Sequence, residues 1–454
     1  MTTIIDEMLK RSAKIEKFKG EPYKCWKKGK ELRLKIYRDY AEAHEKGELR
    51  VSGSSWSLHP VPMGLGDDIH WLACEPYGAS TASEPDFSKK CMEAAEARGW
   101  APDLCGYVRN YLGCIYINEY TFGGPWPPPD FMWQIHLCCS HAKWYQAAGE
   151  AEGGTPLYAV DVSVGPYVVG PDREKLKEHK LQYLVSQVLE GIEWMQKVTG
   201  RKFDDEKFIQ AVNNDCNATS LWADICTLNT AVPAPMDEKS MFSWFNLAGM
   251  GRAYKEVLDF YRELYDEIKD RVARGVGAVP NERLRVCVYG PPPYGRLDIF
   301  RYLEQYGCVS IGADYSFAQF GVWEYAEDGT LRGRRTPEQK GIVMKTREDA
   351  VRVMADWYLS KPTWQHLYGP DPKFEFMKVI AKQWKCDAVI VHYNRGCEMT
   401  TLSAPEVRLA LLEMGLPVMT YEASHADVRD FDTARVQARV DAFMESQGLR
   451  KLSS

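Results

Sequence analysis

CDAVIVHYNRGCEMTTLSAPEVRLALLEMGLPVMTYE, residues 386–422, decides the fold class. Its first eight residues, Cys386 to Tyr393, are an apolar run bounded by polar residues, the pattern of a strand buried on both faces. The loop Asn394-Arg395-Gly396-Cys397-Glu398 follows. A helix from about Ala404 to Met414 then ends at Gly415, and Leu416 to Glu422 reads as a second strand. Strand, helix, strand is a βαβ unit, and such units imply a parallel sheet.

The same order occurs one step upstream. LRVCVYG (Leu284 to Gly290) reads as a strand ending in a Pro-rich loop, DIFRYLEQYG (Asp298 to Gly307) as a helix closed by glycine, and CVSIGADY (Cys308 to Tyr315) as a strand. In doubly wound sheets ligands bind beyond the carboxyl ends of the strands, and both unusual loops lie there. Farther upstream, Leu181, Leu184, Val188 and Ile192 form one helical stripe; Val257, Phe260, Tyr261, Leu264 and Ile268 form another. Pro233 and Pro235 mark a break between them. Thr155 to Val164 reads as a buried strand, and Gly123 to Phe131 (GGPWPPPDF) as a rigid loop. Residues before about 60 are lysine-rich with weak helical periodicity and end in the polar stretch Val51 to Ser55. The expected fold class is α/β, with two doubly wound parallel-sheet lobes and a helical insertion. The expected boundaries are an N-terminal helical arm at 1–64, a first lobe at 65–172, a helical subdomain at 173–280 and a second lobe at 281–454.

The 454 residues are 45% apolar and 26% charged, an ordinary globular balance. Lys and Arg total 57 against 63 Asp and Glu, a net charge of −6 that leaves no basic excess to hold nucleic acid phosphates. No run approaches the roughly 18 uncharged apolar residues of a membrane span. The charged N-terminus is unlike a signal peptide, so a cytoplasmic location is expected. The chain lacks a phosphate-binding P-loop, a G-x-G-x-x-G turn, C-x-x-C, H-E-x-x-H and G-x-S-x-G, so any ATP-driven step falls to another protein. Aromatic residues make up 12%, including 14 Trp and 25 Tyr. Such residues suit pockets for flat ligands, and they equally suit core and subunit interfaces.

Thirteen cysteines without an export signal point to packing, nucleophilic catalysis or metal binding rather than disulfides. Cys287, Cys308 and Cys386 lie in apolar runs and read as core residues. Cys105 (PDLCGYVRNYLGC), Cys139 (QIHLCCSHAKWY) and Cys397 (VHYNRGCEM) stand in loops. Dispersed thiolates that converge in the fold can hold an iron–sulfur cluster, because soft sulfur ligands suit iron. A Cys/His nucleophile pair, with His392 or His141 as partner, is the competing reading.

PDLCGYVRNYLG, CCSHAKWY followed by TPLYAVDV, YGPPPYGRLDIFRYLEQYG, and DAVIVHYNRGCE with LALLEMGLPVMTYE together resemble the two-subunit family of 2-hydroxyacyl-CoA dehydratases and ATP-dependent benzoyl-CoA reductases. The resemblance runs from about residue 65 to the C-terminus. HYNRGCE and the closing ARVDAFMESQGL resemble a benzoyl-CoA reductase subunit more than a dehydratase. The resemblance implies a [4Fe-4S] cluster on Cys105, Cys139 and Cys397, with Cys138, Cys74 and Cys114 as alternates. Ser140 and His141 replace the family's usual residues after the second cysteine, and Cys138 precedes it. The family pattern further implies a homologous companion subunit, a separate ATP-hydrolysing iron–sulfur activator, an acyl-CoA substrate and an oxygen-sensitive anaerobic oxidoreductase of benzoyl-CoA type. A dehydratase subunit and a non-catalytic scaffold subunit are the alternatives. For proton transfer, Glu75, His141, His392 and Glu398 are the titratable groups nearest the motif cysteines in sequence. Glu398 equally suits the start of the helix that follows it, and ACEPYGAS around Cys74 reads as a turn, one that lines the substrate cavity or, equally, a turn at the surface.

Overall fold

A computed structural model describes residues 20–162, 173–366 and 370–452. Ten strands are present among them: β1 (Leu49–Gly53), β2 (Ile69–Ala73), β3 (Phe131–His136), β4 (Leu157–Asp161), β5 (Leu284–Tyr289), β6 (Cys308–Ala313), β7 (Trp323–Tyr325), β8 (Leu331–Gly333), β9 (Ala388–Arg395) and β10 (Val418–Ser424). They form two four-stranded sheets, ordered β2-β1-β3-β4 and β10-β9-β5-β6, and a small β7-β8 hairpin. Every pairing in the two large sheets is parallel. The α/β class with two parallel sheets is therefore as expected.

The passage that decided the class folds closely to its reading. β9 pairs with both β10 and β5, so its apolar run lies inside the sheet with helices over both faces. The helix Ala404–Glu413 joins β9 to β10 and is followed by Gly415 at φ 80°, a conformation that costs glycine little. Helices Arg173–Thr199 and Lys255–Arg274 bury the stripes read from sequence, with Val188, Ile192, Val257 and Phe260 fully enclosed. Between them lie helices Asp205–Leu228 and Glu238–Gly251. Cys287, Cys308 and Cys386 are buried, as their apolar surroundings suggested.

Three segments differ from their readings. Val51 to Ser55, taken as the polar end of a helical arm, belongs largely to β1, a central strand flanked by β2 and β3. Its small residues conceal it. A Cβ on Gly53 would come within 2.0 Å of the Trp71 ring, so large neighbours fill the space a bulky strand residue would take. ACEPYGAS is not a turn; it lies largely in the helix Cys74–Ala82. Pro76 sits in the first turn, where a missing N–H costs nothing, and a Cβ on Gly78 would meet the Tyr107 backbone at 2.9 Å. The strand expected over Thr155 to Val164 is the shorter β4 at a sheet edge, and Val164 lies outside the described residues. Aromatic side chains serve mainly as core, with Trp71, Trp133, Trp222, Trp244, Trp364 and Trp384 among the largest fully buried groups.

Candidate functional site

The carboxyl ends of the two sheets face each other, and the loops leaving them interlock. Arg109 carries most of the connection: its Nη1 donates to Glu96 at 2.8 Å and to Asp427 at 3.0 Å, and its Nε donates to the Leu104 carbonyl at 2.9 Å. Asn110 Nδ2 donates to the Ala426 carbonyl at 2.9 Å, and the hydroxyls of Tyr107 and Tyr315 meet at 3.4 Å. Two glycines permit the close approach. Gly396, at φ 77°, lies where a Cβ would fall 2.8 Å from the Asp103 carbonyl, and a Cβ on Gly106 would meet Ala426 at 3.0 Å. The loops that carry Cys105 and Cys397 are thus packed backbone against backbone.

Cys105, Cys138 and Cys397 occupy equivalent local positions. Each is the residue immediately before a helix or helical turn: Gly106–Ile117, Cys139–Ala151 and Glu398–Thr401. Burial pushes the Cys105 thiol up to about 12, and the nearby Cys397 adds to that, while the N–H groups of Val108 and Tyr107 pull it down. Burial also raises the Cys138 thiol; Cys105, Cys397 and Glu75 reinforce this, and the His141 N–H opposes it. Cys397 is raised by burial and eased by Thr400, Lys373 and the Met399 N–H. The three sulfurs therefore share one electrostatic neighbourhood, half-buried rather than enclosed.

Cys139 does not share it. Its side chain is exposed, and its thiol is raised first by a hydrogen bond to Glu398. Of the vicinal pair, Cys138 is the one whose thiol is raised by Cys105 and Cys397. Cys74 is buried against Gln134, whose Nε2 stands 3.7 Å from its sulfur. Cys114 lies in the core with its sulfur 3.6 Å from that of Cys91. Neither faces the three sulfurs.

The four titratable candidates separate. Glu75 is buried, accepts from Ser54 Oγ at 2.9 Å and from the Ser55 N–H at 2.7 Å, and forms an ion pair with His141. Burial acts to raise its carboxyl, but His141 and the Ser55 N–H outweigh burial and hold it below the usual range. Glu398 lies beside Cys397 in an open cavity of about 650 Å³, which Arg395 and Leu402 also line. His392 is turned away from the thiols. Its Nδ1 is 2.6 Å from the Pro291 carbonyl, its Nε2 3.1 Å from the Ala423 carbonyl, and its ring stacks on Tyr421. Burial depresses it to about 4, so it is a neutral packing residue and not an acid. As a nucleophile's partner it fails for the same reason.

Two residues missed in the sequence complete the surroundings. His425, one residue beyond β10, places Nε2 3.7 Å from Cys105 Sγ, while its Nδ1 lies 3.0 Å from Asn394 Oδ1. Asn394 Oδ1 also accepts the His425 backbone N–H, which assigns the proton to Nδ1 and turns the Nε2 lone pair toward the sulfur. The signal was available, because β10 ends at the same sheet edge as the Cys397 loop. Lys373 Nζ donates to the carbonyls of Met399 at 2.7 Å and Leu402 at 2.5 Å, holding the turn behind Cys397. Nothing in its helical context marks it.

Among the described residues, no three His, Cys, Asp or Glu side chains close on one point as ligands to a single metal ion do. A multinuclear cluster spreads its ligating sulfurs farther apart. Three half-buried soft donors beside backbone N–H groups have the chemistry that suits an iron–sulfur cluster.

Residues 83–446 match the family model described as 2-hydroxyglutaryl-CoA dehydratase, D-component. The alpha subunit of (R)-2-hydroxyisocaproyl-CoA dehydratase from Clostridioides difficile is 25% identical, with 92% of this chain and 95% of that subunit aligned. The alpha subunit of (R)-2-hydroxyglutaryl-CoA dehydratase from Acidaminococcus fermentans is 23% identical over 91% of this chain and 94% of its own length. The beta subunit of (R)-phenyllactyl-CoA dehydratase from Clostridium sporogenes is 22% identical over 62% of this chain and 67% of its own.

Proposed function

The chain belongs to the 2-hydroxyglutaryl-CoA dehydratase D-component family, and from that membership we propose that it is an alpha-type subunit of a 2-hydroxyacyl-CoA dehydratase. The reaction removes the hydroxyl from C2 and a hydrogen from C3 of a CoA thioester as water, leaving a 2-enoyl-CoA. The expectation of a benzoyl-CoA reductase, an oxidoreductase on aromatic acyl-CoA, is replaced here. HYNRGCE and the closing helix suggested it, but the family model and the relatives named above are dehydratases, which are lyases. Resemblance to both alpha and beta subunits supports a homologous companion chain.

The observation that carries the reading is the shared neighbourhood of Cys105, Cys138 and Cys397 where the two sheet edges meet. In this proposal these three cysteines hold the [4Fe-4S] cluster, and Cys139 stands outside it. A bound cluster would supply single-electron chemistry at the substrate, with electrons delivered by a separate ATP-hydrolysing activator. The chain's own residues do the rest. His141 and the Ser55 N–H hold Glu75 ionised in its buried place, where it serves as the base and His141 as its proton partner. Lys373 and His425 fix the loops that present Cys397 and Cys105.

The test is anaerobic purification with the companion subunit, followed by iron analysis and an assay with activator, ATP and a 2-hydroxyacyl-CoA. The expected result is bound iron and enoyl-CoA formation without net consumption of reductant. Iron-free protein, or stoichiometric reductant use with benzoyl-CoA, contradicts the proposal.

A further inference from the structure

The second lobe leaves an apolar face open to solvent. Among the described residues eleven large apolar side chains are exposed, and four of them, Leu402, Leu409, Leu412 and Met414, fall together in one short stretch, with Leu402 65% and Leu409 56% exposed. Exposed apolar residues scattered singly are ordinary, whereas a group of them marks a surface that meets something. On the helix Ala404–Glu413, Pro405, Leu409 and Leu412 recur at i, i+4 and i+7 as an outward stripe, while Ala404, Val407, Ala410 and Leu411 are buried on the inward side. A helix that is apolar on both sides is one that is covered on both sides.

The face reaches the open cavity beside Cys397 through Leu402, which lines it together with Thr420 and Glu422 of β10 and with Arg435 and Arg439 of the helix Thr433–Ser446. β10 is the outer strand of its sheet and pairs with β9 alone, so the backbone along its other side is unpaired. Arg395 is matched by Glu422 at 3.1 Å and Asp430 at 3.3 Å. Arg435 and Arg439, exposed one helical turn apart, have no such partner for their guanidinium groups among the described residues. An apolar stripe, an open strand edge and two unmatched cations are therefore continuous with the cavity that holds the half-buried thiol of Cys397.

We propose that this face is the seat of the companion subunit, which lays an apolar surface on Leu402, Leu409 and Leu412 and sets carboxylates opposite Arg435 and Arg439. The inference rests on the dehydratase reading, which calls for a companion, and adds where that companion binds. Two features select a permanent partner over a passing one such as the activator. Obligate interfaces are more apolar than transient ones, and the stripe has the composition of the former. The candidate site is also incomplete without cover, since Cys139 is exposed, Cys105, Cys138 and Cys397 are half-buried, and the cavity leaves Cys397 and Glu398 open to solvent. A chain that stays in place closes that opening, whereas one that comes and goes leaves it open between visits. The two arginines at the rim add complementarity of charge, which fixes register and speeds encounter more than it adds affinity.

Amide hydrogen exchange on the anaerobic chain, alone and with its companion, maps the contact without any substitution. Protection of residues 402–414 and of β10 on binding is expected. In a dilution series followed by light scattering, Leu409→Glu combined with Leu412→Glu should weaken the heteromer by about 100-fold or more with the circular dichroism of the chain unchanged. Val343→Glu, at a side chain 71% exposed elsewhere, should leave it within about threefold of wild type. Arg435→Gln combined with Arg439→Gln should weaken it by about tenfold, and most at low salt. Protection confined to other residues, or a heteromer that tolerates the paired leucine change, overturns the seat, and the exchange map decides alone if that variant does not fold. A homodimer of this chain through the same helix, or an intact heteromer that loses only activator-driven turnover, also overturns it by giving the face to a second copy or to the activator. A heteromer that dehydrates a 2-hydroxyacyl-CoA but is protected elsewhere leaves the dehydratase reading standing and sinks only the seat. If neither heteromer nor dehydration is found, the dehydratase reading fails, and the seat with it.

Discussion

His141 and His392 each lie at a carboxyl-end sheet edge, and the two edges treat them in opposite ways. At the first, His141 lies in the first turn of the helix after β3 and meets a buried carboxylate, Glu75, which His141 and the Ser55 N–H keep ionised. At the second, His392 is held between two carbonyls and stacked on Tyr421, and His425 is oriented by Asn394. Burial holds both of these histidines neutral. The difference is that the first edge sets a histidine against an ionised carboxylate, whereas the second holds its histidines neutral against carbonyl and amide oxygens. Each prediction below breaks or sharpens that contrast.

The largest effect is expected at the thiols that span both edges. Cys105→Ser and Cys397→Ser should each lower bound iron in anaerobic protein and abolish turnover; iron and activity that survive either change would remove that residue from the ligand set. Next comes Glu75→Gln, which keeps the shape of the first edge and deletes its charge. It should lower turnover by about 100-fold or more while leaving iron content unchanged. Iron lost together with activity would instead make Glu75 a structural support.

A smaller effect is expected from His392→Phe, which fills the space but leaves one carbonyl without its N–H. A fall in stability of about 1–3 kcal/mol by denaturant titration is expected, with near-normal turnover per folded molecule. A large drop in turnover would return His392 to the chemistry. The second edge should also set the acid limit of the fold. His392 and His425 are depressed by burial to about 4 and about 3, from an ordinary 6.5. Between those values the unfolded chain binds protons that the folded chain refuses, so stability is full above pH 6.5 and falls as the pH drops toward 3. His425→Gln should flatten this fall, and an unchanged slope would place the acid sensitivity elsewhere.

What the sequence disclosed follows the same division. Strands β5, β6, β9 and β10 announce themselves because buried parallel strands are continuous apolar runs. β1 is silent because Ser52 and Gly53 carry no apolar pattern, and its neighbours Trp71 and Trp133 fill the space instead. Cys105 and Cys397 are legible from their loops. The choice within Cys138-Cys139 is not, because it depends on which residue faces inward when the helix Cys139–Ala151 begins. Arg252 follows the helix Glu238–Gly251, far from Ser55 in the chain, and only the fold brings them together.

The account stands or falls on which sulfurs surround the iron. Anaerobic crystals of the two-subunit complex, measured on both sides of the iron absorption edge, would locate it directly. The predicted result is an anomalous difference peak in this subunit bounded by the sulfurs of Cys105, Cys138 and Cys397, with Cys139 turned outward to Glu398. A peak bounded by Cys139 in place of Cys138, or no iron among these sulfurs, would contradict it.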